Sequence, residues 1–180
     1  MKESVQLFEL ISSAKLVQIW QFFLEKPNKE FSQTEMLRQT GIAKATAVKW
    51  LRLLVQEGLL EMQPRGPAKY YKASSNPVNK LLKAAANVSS IFPLKNIKAD
   101  VYLYGSAARG EDREDSDIDI LVIGKIEKKN VLNVTEPLSK RLGRPIKPVI
   151  MTPIEWAKMK TTDPAFYERV EKDRIKITWT

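Results

Sequence analysis

Residues Val101 to Gly124 read VYLYGSAARGEDREDSDIDILVIG, and the reading of this stretch decides the fold of the second half of the chain. An apolar run ends in Gly105-Ser106, a charge-rich turn follows, and Ser116-Asp117-Ile118-Asp119 opens a second apolar run. Side chains alternate faces along a strand, so Asp117 and Asp119 point the same way with Cα atoms roughly 6.5–7 Å apart. Two carboxylates held that close repel unless a cation or protons share them. The simplest cation is a hard divalent ion that takes oxygen ligands, such as magnesium.

Composition narrows the chemistry. The 180 residues contain no cysteine and no histidine, which removes disulfides, thiolate chemistry and the usual imidazole base and zinc ligand. Carboxylates, hydroxyls, lysines, arginines and backbone amides must do any work. The formal net charge is +9. Twelve Lys/Arg stand against seven Asp/Glu in residues 1–80, and eighteen against fourteen in 81–180, so both halves share the excess. Such a balance suits polyanions, and equally a solvated lysine-rich surface. The start, MKESVQLFELISS, lacks the features of a signal peptide, and no apolar run reaches membrane-spanning length. A soluble, cytoplasmic protein is expected.

Outward from the central stretch, the C-terminal half alternates strand and helix. Strands are expected at about 99–104, 118–123 and 145–151, with a short helix at 105–110 and a longer one at 129–142. Thr152-Pro153 and Asp163-Pro164 each open a further helix, and Arg174 to Trp179 alternates like a strand. The result is a small mixed sheet with helices against it.

Toward the N-terminus, residues 4–24 read as one helix, with Ser4 as cap and Val5, Phe8, Leu10, Ile11, Leu16, Ile19, Phe22 and Phe23 near helical spacing. Ser32 or Thr34 caps a brief helix closed at Gly41, and a third runs from about Lys44 to Gln56. Residues 59–62 and 69–72 are short strands around the turn formers Pro64-Arg65-Gly66-Pro67. Asn76 caps a helix with Pro77 in its first turn, reaching about Ser89. These readings divide the chain into a domain at 1–75 and another at 76–180, in which 76–98 form a bridging helix and linker.

Helix, short helix, helix, hairpin is the winged helix-turn-helix order, and GIAKATAVKWLRLLVQEGLL resembles the second half of that motif. The resemblance covers about residues 5–73 and implies core positions at Ala47, Leu51 and Leu54. It implies double-stranded DNA as partner, met by Lys44, Thr46, Lys49 and Arg52 on the third helix and by Arg65 and Lys69 at the wing. Ala43 stands where a serine cap is common, forgoing about 1 kcal/mol. Val48, Trp50, Leu53 and Val55 make the helix apolar nearly all round, which predicts packing against the second domain or another subunit. A homodimer, with the long first helix at its interface, fits the way winged-helix proteins read paired half-sites.

The segment LYGSAARGEDREDSDIDILVIG resembles the signature of the DNA polymerase β-like nucleotidyltransferases, most nearly the minimal nucleotidyltransferases. An Asp-x-Asp or a Gly-Ser alone is weak, and a surface or capping role is then the better reading. Their combination between two apolar strands is specific. The whole chain is accordingly expected to be α+β, a winged helix-turn-helix domain followed by a small nucleotidyltransferase-like domain. The resemblance implies an NTP as substrate or ligand and Mg²⁺ as cofactor. Gly105 would let the backbone approach the triphosphate, while Ser106, Arg109 and Ser116 would contact it or shape its turn. Asp117 and Asp119 would be metal ligands and catalytic acids. Turn or cap chemistry is the alternative for Ser106 and Ser116, and for Arg109 an ion pair with Glu111, Asp112 or Asp115. Relatives with this signature carry a third carboxylate on a later strand. Here that strand reads Arg144-Pro145-Ile146-Lys147-Pro148-Val149-Ile150-Met151, and Lys147 falls where the acid is expected. Glu136 and Glu155 are the nearest acids, on flanking helices.

These features favour an enzyme that moves NMP from a magnesium–NTP to an acceptor hydroxyl, with a protein as the preferred acceptor. Two other readings stand beside it: a catalytically impaired, nucleotide-sensing transcriptional regulator, and a protein-interaction module.

Overall fold

A computed structural model describes residues 10–178. Ser4, Val5 and Phe8 of the expected first helix, and Trp179 of the last strand, lie outside the described residues. The described chain divides into two compact units between Asn79 and Lys80.

In the first unit, helix α1 spans Ala14–Glu25 and buries Leu16, Ile19, Trp20 and Phe23, one apolar stripe at helical spacing. The expectation of a single helix over 4–24 fails at Ser13. That residue is extended, and its hydroxyl accepts from the Leu16 amide at 3.4 Å. Serine competes with the helix by bonding nearby backbone, so it serves better as a cap than as an interior residue. Strand β1, Phe31–Ser32, leads into α2, Gln33–Thr40, through a capping box between Ser32 and Glu35. Helix α3, Lys44–Gln56, begins at Ala43 without a side-chain cap and buries Ala47, Leu51 and Leu54, as the sequence implies. Val48, Trp50, Leu53 and Val55 are half-buried.

Strands β2, Leu60–Arg65, and β3, Ala68–Ala73, form a hairpin that β1 joins in the order β1-β3-β2, all antiparallel. Both hairpin strands are longer than expected, because only Gly66-Pro67 form the turn. Pro64 lies on β2, opposite Lys69. An edge strand tolerates a proline there because its missing N–H has no ladder partner to lose. Three helices closed by a hairpin make this unit a winged helix-turn-helix fold. A buried asparagine ties it together: Asn79 accepts from the Trp20 indole at 2.7 Å and donates to the carbonyls of Leu59 and Ser74, each at 2.8 Å. Helix α4, Pro77–Ser90, starts where expected, with the Asn79 amide donating to the Asn76 side chain at 2.8 Å.

The second unit is built on a four-stranded sheet. Its strands are β4, Asp100–Leu103; β5, Ile118–Ile123; β6, Ile146–Met151; and β7, Ile175–Lys176. They lie in the order β6-β5-β4-β7, with β5 parallel to β6 and the other pairs antiparallel. Helix α5, Ser106–Arg109, follows β4, and α6, Lys128–Leu142, connects β5 to β6. Helices α7, Pro153–Thr162, and α8, Pro164–Asp173, precede β7.

Strand β5 is the pivot, because it separates the two layers of the core. Ile118, Ile120 and Val122 face one layer with Ile91, Leu94, Val131 and Leu138. Leu121 faces the other with Tyr104, Trp156 and Val170. Strand periodicity therefore puts Asp117 and Asp119 on the α7–α8 side of the sheet. Among the described residues, no helix is long and apolar enough to cross a membrane.

Candidate functional site

Gly105 follows β4 with φ 75° and ψ −153°, a conformation essentially reserved for glycine. A Cβ built there would lie 3.3 Å from Asp119 Oδ2. The turn thus brings bare backbone against the second aspartate. The Tyr104 amide donates to the Asp119 carbonyl at 3.1 Å, which extends the β4–β5 ladder up to that turn. Ser106 begins α5 and is half-buried.

Asp119 is half-buried at the head of β5. Burial pushes its carboxyl above the usual range, the neighbouring Asp117 adds to this, and Lys147 and Arg169 oppose it. Asp119 pairs in register with Lys147 across the parallel β5–β6 ladder. The Lys147 ammonium is ion-paired with Asp117, which raises the lysine's own pKa. The lysine that replaces the expected acid thus stands beside both aspartates.

Arg109 turns to acids of the chain itself. Its Nε donates to Glu111 at 2.8 Å, and Nη1 pairs with Asp173. Glu111 is the partner that the sequence offered as the alternative for Arg109. With Lys80 also at 2.6 Å, its carboxyl is lowered to about 2, first by the Arg109 hydrogen bond. Asp173 also accepts from the Gly105 amide at 3.4 Å.

Ser116 serves the turn. Its hydroxyl accepts from the Arg113 amide at 2.9 Å, and its carbonyl accepts from Arg144 Nε at 2.9 Å. The same guanidinium meets Asp112 at 3.0 Å, so one side chain holds both ends of the loop that delivers Asp117. The side chain of Asp112 is fully buried, and it also receives Asn87 Nδ2 at 2.8 Å and lies 3.6 Å from Lys83. Burial lowers the Lys83 pKa, and Asp112 opposes that shift. Gly110 completes the loop, since a Cβ there would fall 1.9 Å from the Lys80 carbonyl oxygen.

Sequence reading missed Asp173, Arg169 and the Asp112–Arg144 strut. One signal was available for the first: an aspartate ending a helix opposes the helix dipole, so something else must hold it. The other two depend on contacts distant in sequence. Glu155, one of the acids nearest the missing position, is occupied in a capping box with Thr152. Glu136 is exposed on α6.

Asp117 and Asp119 could hold a magnesium ion. Magnesium binds through one or two carboxylates and completes its shell with phosphate oxygens and water, as Asp117 and Asp119 with a triphosphate would allow. Among the described residues, no group of three or more His, Cys, Asp or Glu side chains is placed to hold a metal.

In the first unit, Lys44, Lys49 and Arg52 are exposed on α3 and Thr46 is half-buried. Lys49 Nζ sits 4.4 Å from the centre of the Trp50 ring. Arg65 pairs with Glu30 and lies over Tyr70 at the end of β2, and Lys69 is exposed on β3.

The sequence model of the nucleotidyltransferase domain family matches residues 81–177. No curated protein matches the chain. Among solved structures, reduced HlyU from Vibrio cholerae N16961 is similar at 20% identity and TM-score 0.37, over 42% of this chain and 77% of that one. Rv0081 of M. tuberculosis is similar at 20% identity and TM-score 0.40, over 46% and 81%. NolR from Sinorhizobium fredii is similar at 14% identity and TM-score 0.34, over 48% and 96%.

Proposed function

Because the chain belongs to the nucleotidyltransferase domain family, we propose that its second unit binds a nucleoside triphosphate with magnesium at the head of β5 and transfers NMP to an acceptor hydroxyl. The observation that carries this reading is the close approach of Gly105 to Asp119, with Asp117 on the same face. Bare backbone beside paired carboxylates suits a phosphate chain that arrives with its own cation. Magnesium, when bound, neutralises charge on the triphosphate and on the departing pyrophosphate.

The protein's own residues have distinct tasks in this reading. Asp117 and Asp119 hold the cation, the Ser106 amide and hydroxyl donate to phosphate oxygens, and Asp173 fixes that turn by accepting from the Gly105 amide. In the transfer, a bond forms between the acceptor oxygen and the α-phosphorus while the bond to the β-phosphate oxygen breaks. Pyrophosphate leaves, and the hydroxyl proton passes to solvent water. We take the acceptor to be a protein hydroxyl and the compartment to be the cytoplasm. The first unit, with Lys44, Lys49 and Arg52 on the open side of α3, binds double-stranded DNA in this account. A homodimer reading paired half-sites fits the same picture.

The ion pair between Lys147 and Asp117 favours a second reading. A protonated lysine accepts no proton from the hydroxyl, so the unit would hold its nucleotide without turnover and act as the sensor of a DNA-binding regulator. Incubation with labelled NTPs and Mg²⁺ separates the two. Label on this protein or a partner, lost in Asp117→Ala, supports transfer. Binding without pyrophosphate release supports sensing, and no binding at all ends both.

A further inference from the structure

Lys147 occupies an unusual place. It is the register partner of Asp119 on the neighbouring strand, and its ammonium is ion-paired with Asp117. Strand β6 is an edge of the sheet, and Pro145 and Pro148 flank the lysine. The side chain is 64% exposed, which leaves the ammonium room to move without disturbing the core.

We infer that Lys147 sets the cation content of this site: its ammonium stands in for one divalent ion, so the second unit takes a nucleoside triphosphate with one divalent cation and not with two. This rests on reading the site as a triphosphate site. Paired-metal sites hold their ions about 3.5–4 Å apart and need carboxylates to share between them. Here the two aspartates already meet a tethered positive charge, and Lys147 adds a donor where a second ion would need an acceptor. An ammonium is a compact, strongly hydrated point charge, so it screens the pair without making directional metal bonds. A free divalent ion must therefore compete with a tethered cation for Asp117. The triphosphate changes that balance, because its oxygens supply ligands to the incoming ion and a new partner for the displaced ammonium.

The experiment uses manganese alone, followed through the electron paramagnetic resonance of the free ion, with the whole chain as wild type, Lys147→Gln and Lys147→Asp. Lys147→Gln keeps the side-chain length, removes the charge, and should tighten manganese binding roughly 5-fold or more. Lys147→Asp should raise the stoichiometry to two manganese ions per chain. Wild type with a non-hydrolysable triphosphate analogue should hold one. Unchanged or weaker manganese binding in Lys147→Gln overturns the inference, and so does a second manganese in wild type with the analogue. Lys147→Gln decides the matter if Lys147→Asp fails to fold. Failure of the analogue to bind any of the three proteins contradicts the functional reading instead, while the manganese-only comparison still judges Lys147.

Discussion

Lys147 lies directly opposite Asp119 across the parallel ladder of β5 and β6, and its ammonium is paired with Asp117. The cation and the two carboxylates belong to one electrostatic unit. Changing any member should alter how the others bind charge.

Asp119→Asn separates function from stability. Burial raises the pKa of Asp119, so its contribution to stability is full below the unfolded value and is lost as pH rises through the folded one. At neutral pH the charged form is therefore a cost of the fold. The amide should raise the melting temperature by roughly 1–3 °C while abolishing magnesium-dependent NTP binding. Thermal unfolding and nucleotide titration on one sample check both.

Arg144→Met should cost about 3–5 kcal/mol, because it leaves the buried Asp112 without its main counter-charge. The loop to Asp117 would also lose its tie at the Ser116 carbonyl. Denaturant unfolding gives the first effect. A loss of NTP affinity in the still-folded variant gives the second.

Gly105→Ala should weaken NTP binding more than its modest size suggests. It adds strain of about 1–3 kcal/mol at φ 75° and sets a methyl 3.3 Å from Asp119 Oδ2. An unchanged NTP affinity would show that the turn does not meet the ligand.

The Glu111 pairs should show in acid. Its carboxyl is lowered to about 2, so its contribution is present above the ordinary carboxylate value, near 4.3, and is lost as pH falls toward 2. Glu111→Gln should lower stability at pH 7 by a small amount and flatten the profile in that window, so that its gap to wild type closes as pH falls toward 2. The pairs are exposed, so high salt should reduce the difference.

For DNA, Lys49→Ala and Arg52→Ala should each reduce the salt slope of binding by about 1 if each side chain meets a phosphate. Arg65→Ala should do less, since Arg65 is already paired with Glu30. Fluorescence anisotropy across a salt series reads both.

Most of the fold was legible because local signals agreed. Ser32 with Glu35, and Thr152, just before Pro153, with Glu155, mark their helices by capping chemistry that acts within three residues. The alternation Ile118, Ile120, Val122 gives β5 to the residue, and with it the shared face of Asp117 and Asp119. Ser13 escaped notice because apolar spacing runs through it, and only its backbone shows the break. Pro64 misled in the opposite direction, since whether a proline ends a strand depends on that strand being an edge. The site was half legible. Its carboxylates and glycine are local in sequence, whereas Asp173, Arg169 and Arg144 reach it from distant elements. Lys147 was visible as a missing acid, but its pairing with Asp117 needed the register of β6.

The most direct test of the central claim is isothermal titration of a nucleoside triphosphate into the whole protein, with and without magnesium, in wild type and Asp119→Asn. Saturable binding of one triphosphate per chain, dependent on magnesium and lost in the variant, is the expected result. Absence of binding in wild type, or binding that persists unchanged in Asp119→Asn, would contradict it.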